Sequence, residues 1–252
     1  MARPELNEDW HMTNGIERLA KLVEVAVVFV LREYIAAWTV ALALAAGIVL
    51  PDMPLLKHTY LVFAFVLVVL LWVTLRGEKW SDFGLIAPRR WLLYLGLGVA
   101  LAIADIVVDG IVRSVSTPLI VSWTGADPHL DEKAFTVMKG NLPLFLMILP
   151  TIWLFAGFGE EFLFRGYLLT RLAQIFGGSK AAWVLAVIGQ AIAFGLAHFY
   201  QGPVGMFPIA VGAVLYGTAS VVWGRNLWPV MVAHGLVDTL GFTMLYLGIP
   251  LS

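Results

Sequence analysis

The stretch from Leu142 to Leu169 reads LPLFLMILPTIWLFAGFGEEFLFRGYLL. No charged residue occurs in it before two adjacent acids and an arginine: Glu160, Glu161 and Arg165. The apolar part is long enough for a membrane span. Charged side chains are costly at membrane depth, and their presence there usually marks a functional site. The stretch therefore predicts a membrane-embedded helix with a site built on it.

Composition places the chain among membrane proteins. Hydrophobic residues make up 60% of its 252 residues, charged residues only 13%, and the mean hydropathy is +0.87. These values lie outside the range of soluble domains. The formal net charge of -1 gives no basic surface, which excludes nucleic acid as a partner. Because the chain has no cysteine, disulfides, thiol catalysis and thiolate metal ligands are excluded as well.

Apolar runs of spanning length recur along the chain, with Gly and Pro between them. We predict an all-α fold, a polytopic helical bundle in a single membrane domain, 1–252. The longest polar insert, 109–141, is predicted to be a loop with some helix. The seven predicted spans are 34–50, 59–75, 91–108, 142–158 or longer, 181–198, 204–222 and 229–247.

The N-terminal segment, 1–33, scatters charges through its length and so is not a cleavable signal peptide. From 16 to 33 apolar residues recur at helical spacing, which predicts an interfacial helix. The alternative is that this helix is an eighth span. With the N-terminus inside, the inner segments hold four, four, three and one of the Lys and Arg residues, 12 of the 16 in all. The positive-inside rule then predicts a cytoplasmic N-terminus.

Helical spacing separates the two adjacent acids. In an α-helix Glu161 and Arg165 are i,i+4 neighbours and can pair on one face, whereas Glu160 points about 100° away. In apolar surroundings Glu160 suits a general base or acid, because burial disfavours the charged carboxylate. The alternative is a structural ion-pair cluster at the membrane surface, where a helix end tolerates all three charges.

Two histidines lie in later apolar segments. His198 follows the run 181–197, and taken alone it fits an interfacial or hydrogen-bonded residue as well as a ligand. His234 and Asp238 are i,i+4 neighbours, so the carboxylate can orient the imidazole or share a ligand with it. A polar pair inside an apolar span favours function over structure.

Three ordered motifs resemble those of the CPBP family of intramembrane proteases, also called the CAAX-protease and bacteriocin-processing, or ABI, family. They are Glu-Glu-x-x-x-Arg, Phe-x-x-x-His and His-x-x-x-Asp. The resemblance covers 142–240, and its most specific part is EEFLFRGYLL at Glu160–Leu169. The sequence WSDFGL at Trp80–Leu85 is also similar to this family.

The resemblance implies an endopeptidase acting on membrane-associated substrates, with 142–240 as its catalytic core. Its site would open to the cytoplasmic side. Carried over by position, Glu160 would activate the attacking water, and His198 would help to hold it. Glu161 would pair with Arg165, while His234 and Asp238 would stabilise the oxyanion.

The family has been described both as metalloproteases and as metal-independent glutamate proteases. Glu160, His198 and His234 form a chemically adequate set of zinc ligands that leaves a fourth position for water. Zinc is therefore the one cofactor the sequence suggests, and the metal-free mechanism stays open beside it.

Asp238 departs from the family pattern, in which this position is often Asn. An ionised Asp238 would repel the developing negative charge. It must be protonated, orient a His234 that donates, or contact a metal; we favour the orienting role.

The depth of His198 is a difficulty in the seven-span topology, because His198 falls near the outer end of its helix while Glu160 and His234 lie nearer the inside. A shared site then requires the 181–198 helix to end within the membrane, or Glu160 to lie well within a long tilted helix.

Two other classes of function stay open. A transporter or proton relay would use the carboxylates of Glu160, Glu161, Asp105 and Asp109. A non-catalytic scaffold or immunity-type protein of the same fold would keep its function after Glu160→Ala. The expected partners are the lipid bilayer, in the plasma (inner) membrane, and a peptide or protein substrate. A lipidated substrate such as a prenylated CAAX peptide is one option, and nothing in the sequence indicates the oligomeric state.

Overall fold

The computed structural model describes residues 15–28, 30, 66–129 and 135–249. Of these residues 84% are helical and none is in a strand, which confirms the all-α class. The helices are α1 (15–28), α2 (Val66–Leu75), α3 (Trp91–Thr124), α4 (Leu142–Ile175), α5 (Lys180–Ala197), α6 (Gly202–Val222) and α7 (Trp228–Leu247). Short 3-10 turns lie at Trp80–Phe83, Thr136–Met138 and Phe199–Gln201.

Within the described part of the chain, five helices, α3 to α7, are long and apolar enough to cross a membrane. The five predicted spans from 91 onward fall on them. The predicted span 34–50 lies outside the described residues, and of 59–75 only 66–75 is described, as helix. The predicted count of seven or eight spans is therefore not confirmed.

Helix α3 is longer than predicted. It runs from Trp91 to Thr124, so the predicted end of the span at 108 is wrong, and residues 109–124 contain the helix expected within the polar insert. Asp109 and Arg113, which made the segment look polar, form an i,i+4 ion pair at 2.9 Å along the helix. Their charges are thus satisfied locally, and the helix continues to Gly125, whose φ of 66° ends it.

Helix α4 is continuous over 34 residues, as the sequence allowed. Asn141 caps its start, because its side chain accepts a hydrogen bond from the Leu144 N–H. From Ile152 to Leu168 the helix is π-helical, with i→i+5 backbone hydrogen bonds. The predicted α-helical geometry is wrong over this stretch. Helical turns of the π type are rare and frequently lie at functional sites.

The described residues pack into two compact units, each built from three separate stretches of chain. The single membrane domain, 1–252, stays a prediction. Unit 1 takes its residues from Met1–Ala87, Gly159–Gln190 and Ser220–Leu227, and unit 2 takes its residues from Pro88–Phe158, Ala191–Ala219 and Trp228–Ser252.

Unit 1 has an apolar core formed by the end of α4 and the first part of α5. Its buried residues are Leu169, Ala173, Trp183, Ala186 and Val187, with Leu172 and Val221 packed against them. The turn before α3 joins the same unit, since the Leu227 N–H donates to the Gly84 carbonyl at 3.1 Å.

In unit 2, α3 and α7 pack closely. A Cβ on Gly98 would lie 2.6 Å from Val232, so glycine allows the two helices to approach. Trp153 packs against Gly235 in the same way, and its indole N–H donates to the Thr239 hydroxyl at 3.1 Å. The remaining surface of α3 exposes large apolar side chains such as Leu92, Ile103 and Ile111, as a lipid-facing helix does.

Helix α1 turns apolar side chains outward and buries an acid. Ile16 and Leu19 are 78% and 60% exposed, whereas Glu24 is only 7% exposed. The predicted helix is confirmed over the described part of 16–33, and its interfacial position stays a prediction. No local pattern in the sequence predicts the burial of Glu24.

Candidate active site

The two adjacent acids of α4 are both buried in unit 1. Glu160 is 4% exposed and Glu161 is fully buried. The predicted ion pair is present: Arg165 Nη1 donates to Glu161 Oε1 at 3.0 Å, with neither side chain more than 2% exposed. Because water is excluded, this attraction is far stronger than at a surface. Removing one partner would leave an uncompensated buried charge.

Residues from other segments of unit 1 close around this part of α4. A Cβ on Gly166 would lie 2.7 Å from the Phe83 carbonyl oxygen and 3.1 Å from Leu227 Cδ1. Only glycine therefore fits at position 166 without a shift of its neighbours. The side chains of Phe162 and Phe164 are also buried, so the acids lie in apolar surroundings.

One turn beyond Arg165, a buried network centres on Arg171. Its Nε donates to Glu24 Oε1 at 2.7 Å, and the Tyr167 hydroxyl donates to the same oxygen at 2.8 Å. Its two terminal nitrogens donate to the two carboxylate oxygens of Glu78. The guanidinium also lies over the Phe83 ring, 4.9 Å from its centroid. The sequence analysis missed this network, because its members are up to 147 residues apart.

Two cations of unit 1 outside the candidate spans have shifted pKa values. Burial is the main cause of the lowered pKa of the Lys21 ammonium, and the charge of Arg171 lowers it further. Burial likewise lowers the pKa of the Arg225 guanidinium, against the attraction of Asp82. Arg225 donates to the Asp82 carbonyl at 2.8 Å. Both shifts reflect the partial removal of these cations from water by the packing of this unit.

His198 lies in the tight connection between α5 and α6, just before the turn Phe199–Gln201. Its Nδ1 is 2.8 Å from the Phe194 carbonyl oxygen. A carbonyl can only accept, so we assign the proton to Nδ1, which makes Nε2 the acceptor in the neutral ring. The imidazole also packs against the Phe194 ring, with centroids 4.7 Å apart. Phe194 thus sets both the tautomer and the orientation of His198, which explains the Phe-x-x-x-His spacing.

His234 and Asp238 lie one turn apart on α7. His234 Nε2 is 3.7 Å from Asp238 Oδ2, which is within ion-pair range but too long for a hydrogen bond. The His234 ring meets the rings of Phe194 and Tyr216 edge-on, at 6.3 and 6.0 Å. The Tyr216 hydroxyl in turn lies 3.4 Å from Asp105 Oδ2. Tyr216 is a neighbour of the site that the sequence analysis did not single out.

The structure brings some of the predicted residues together within each unit. Glu161 and Arg165 pair in unit 1, and Phe194 contacts both His198 and His234 in unit 2. Glu160 belongs to unit 1 and the two histidines belong to unit 2. A site shared by Glu160 and the histidines therefore stays a prediction.

Glu160, His198 and His234 were the predicted zinc ligands. Among the residues that the structure describes, no group of three His, Cys, Asp or Glu side chains is placed to hold a metal ion. Glu160 lies in a different unit from the two histidines, and the predicted zinc site stays a prediction.

The fold and these contacts define a class: a helical integral membrane protein with a buried acid–arginine pair on one helix. Two histidines follow, one in the turn after α5 and one on α7. Residues 142–240 match the family model for type II CAAX prenyl endopeptidase Rce1-like proteins. This match confirms the predicted resemblance to the CPBP family of CAAX-type membrane proteases over residues 142–240.

The matched segment contains all six predicted site residues, whereas α1, α2 and α3 lie outside it. A comparison with curated proteins and one with solved structures gave no match. The family match therefore rests on residues 142–240 alone.

Proposed function

We propose that this protein is an intramembrane endopeptidase that hydrolyses peptide bonds of membrane-associated substrates. The observation that carries the proposal is the burial of two adjacent acids, Glu160 and Glu161, on α4 inside the Rce1-like segment. Such acids are expensive to bury and are retained where they have a function.

Glu160 is the proposed general base. Glu161 is engaged by Arg165 at 3.0 Å, so its charge is committed to that pair. The Glu160 carboxylate takes a proton from water, and the resulting hydroxide attacks the carbonyl carbon of the scissile bond. The same proton then passes to the leaving amine as the carbon–nitrogen bond breaks.

The histidines have complementary proposed roles. His198, with its proton on Nδ1, offers Nε2 to accept a hydrogen bond from the attacking water. A protonated His234 donates to the oxyanion of the tetrahedral intermediate, and the nearby Asp238 carboxylate balances its charge. If Asp238→Asn preserved or raised the rate of cleavage, this role of Asp238 would be wrong.

The proposed substrates carry a lipid group, because the matched family is described as prenyl endopeptidases. The proposed location is the plasma (inner) membrane, with the site toward the cytoplasmic side. A farnesylated peptide ending in a CAAX sequence, labelled with a fluorophore and quencher on either side of the scissile bond, is a suitable probe.

The test is cleavage of this peptide by protein purified in detergent. We expect wild type to cleave it and Glu160→Gln to lower kcat by about 100- to 10,000-fold, the usual contribution of a general base. The matched control is Asp109→Asn, which removes an acid from another candidate span and should keep kcat. Equal rates for wild type and Glu160→Gln would refute the proposal.

Metal analysis of the same samples decides between the two family mechanisms. About one zinc per chain that is lost in His198→Ala, together with activity, would establish a metalloprotease. Cleavage by protein stripped of zinc with a chelator would establish the metal-independent glutamate mechanism.

A further inference from the structure

We propose that Glu24 of α1 is a positioning residue for the catalytic segment of α4, acting through Tyr167 and Arg171. The inference rests on the proposed peptidase function. It extends the machinery beyond the residues that the family model matches, since Glu24 lies well before residue 142.

A single carboxylate oxygen of Glu24 contacts two residues of α4. Its Oε1 accepts hydrogen bonds from the Tyr167 hydroxyl at 2.8 Å and from Arg171 Nε at 2.7 Å. The Arg171 and Glu24 side chains are only 1% and 4% exposed. Charge-assisted hydrogen bonds in such surroundings are strong and directional, so Glu24 restricts both rotation and translation of this part of the helix.

The opposite side of Arg171 is held by a second acid from outside α4. Glu78 accepts from both terminal nitrogens of the guanidinium, a bidentate arrangement that fixes the plane of the group. Arg171 therefore lies between two carboxylates, Glu24 and Glu78, from separate segments. Replacing it with lysine would lose this geometry, because an ammonium has no planar fork.

These contacts lie close to the acids along the chain. Tyr167 is in the π-helical stretch, two residues after Arg165, and its ring packs on Phe83 with centroids 5.8 Å apart. Gly166 meets the Phe83 backbone. The positions of residues 166, 167 and 171 are thus fixed from outside α4, and they fix the helical register of Glu160 and Glu161. A misplacement of about 1 Å at a catalytic group can lower a rate about 100-fold.

A purely stabilising role does not account for the choice of residues. Buried ion pairs are often no more stabilising than well-packed apolar side chains. Four polar groups that match donor to acceptor specify one geometry, which apolar packing does less strictly. The network is therefore suited to placing the helix.

The experiment compares Glu24→Ala, Glu24→Gln and Tyr167→Phe with the control Glu17→Gln, an exposed acid on the same helix. Two quantities are measured: kcat and KM per folded molecule on the farnesylated CAAX peptide, and hydrogen–deuterium exchange of the amides of 159–168. We expect Glu24→Ala to lower kcat by about 10- to 100-fold, as supporting-shell changes do, with KM changed less than about twofold. Exchange in 159–168 should become faster.

Glu24→Gln should lose less than Glu24→Ala, because its amide oxygen still accepts from Tyr167 and Arg171. Tyr167→Phe removes one hydrogen bond and should show the smallest change of the three, while Glu17→Gln should match wild type. If Glu24→Ala does not fold, Tyr167→Phe decides the question by the same two measurements.

The inference is overturned if Glu24→Ala lowers the folded fraction but leaves both kcat per folded molecule and exchange in 159–168 as in wild type. If wild type does not cleave the peptide, the proposed function fails instead. The exchange measurement alone then decides whether Glu24 positions this segment.

Discussion

Two helices of this protein each carry two acids and, four residues after the second acid, an arginine. In α4 these are Glu160, Glu161 and Arg165; in α3 they are Asp105, Asp109 and Arg113. In both helices the second acid pairs with an arginine four residues later, at 3.0 and 2.9 Å. The pair in α4 is no more than 2% exposed, whereas Arg113 and Asp109 are 21% and 40% exposed. The same spacing therefore gives two interactions of different strength, because burial determines the strength of the attraction between the two charges.

The largest expected difference between the helices is in the response to loss of the arginine. Arg165→Ala should lower the free energy of unfolding by about 3–5 kcal/mol, because Glu161 is left as a buried charge without its cation. Equilibrium unfolding in detergent micelles measures this value, with Arg113→Ala as the matched variant in α3. Similar losses in the two variants would contradict the comparison.

A double variant separates stability from geometry. Replacing both partners, as in Glu161→Gln with Arg165→Met, removes the unpaired charge and should recover much of the stability that Arg165→Ala loses. We expect peptidase activity to stay low, because the double variant lacks the Glu161–Arg165 ion pair beside Glu160. Recovery of activity together with stability would show that the pair serves stability alone.

The two helices should also respond differently when a glycine is replaced by alanine. Gly166→Ala places a methyl group 2.7 Å from the Phe83 carbonyl oxygen and should destabilise the protein by about 1–3 kcal/mol. Gly96→Ala in α3 meets nothing within 4 Å and should stabilise it by about 0.5–1 kcal/mol, since alanine is the better helix former. Thermal unfolding of both variants measures the sign, and equal signs would argue against tight packing at Gly166.

The smallest effect is expected at the exposed pair. Asp109→Asn should change the free energy of unfolding by less than about 1 kcal/mol, because the partly exposed pair is screened by solvent. Its effect should shrink further as salt is added, whereas the effect of Arg165→Ala should not. A large effect of Asp109→Asn would indicate that α3 buries this pair more fully in the membrane than the described packing implies.

The parts of the site that depend on neighbouring residues were predictable from the sequence. The pairing of Glu161 with Arg165 follows from helical spacing, and the contact between Phe194 and His198 follows from the same rule. The apolar runs also located five candidate spans correctly, because length and hydrophobicity are local properties.

The structural features that could not be predicted from the sequence depend on distant residues or on details of backbone geometry. The predicted span 91–108 ended before the polar residues that follow it, but i,i+4 pairing lets the helix continue through 109–124. The π-helical geometry of Ile152–Leu168 has no signal in composition or period. The contacts of Glu24 with Tyr167 and Arg171 join residues more than 140 positions apart, and no local pattern encodes such a pairing.

The separation of Glu24 from Arg171 has a consequence for the order of events during synthesis. At about 5–20 residues per second, the 147 positions between them correspond to roughly 7–30 seconds of elongation. During that interval Glu24 has been synthesised, whereas Arg171 has not. Until Arg171 has been made, the Glu24 carboxylate stays in water, because burying its charge without that cation is costly unless the group takes up a proton. Helix α1 therefore reaches its final position only after α4 has been made.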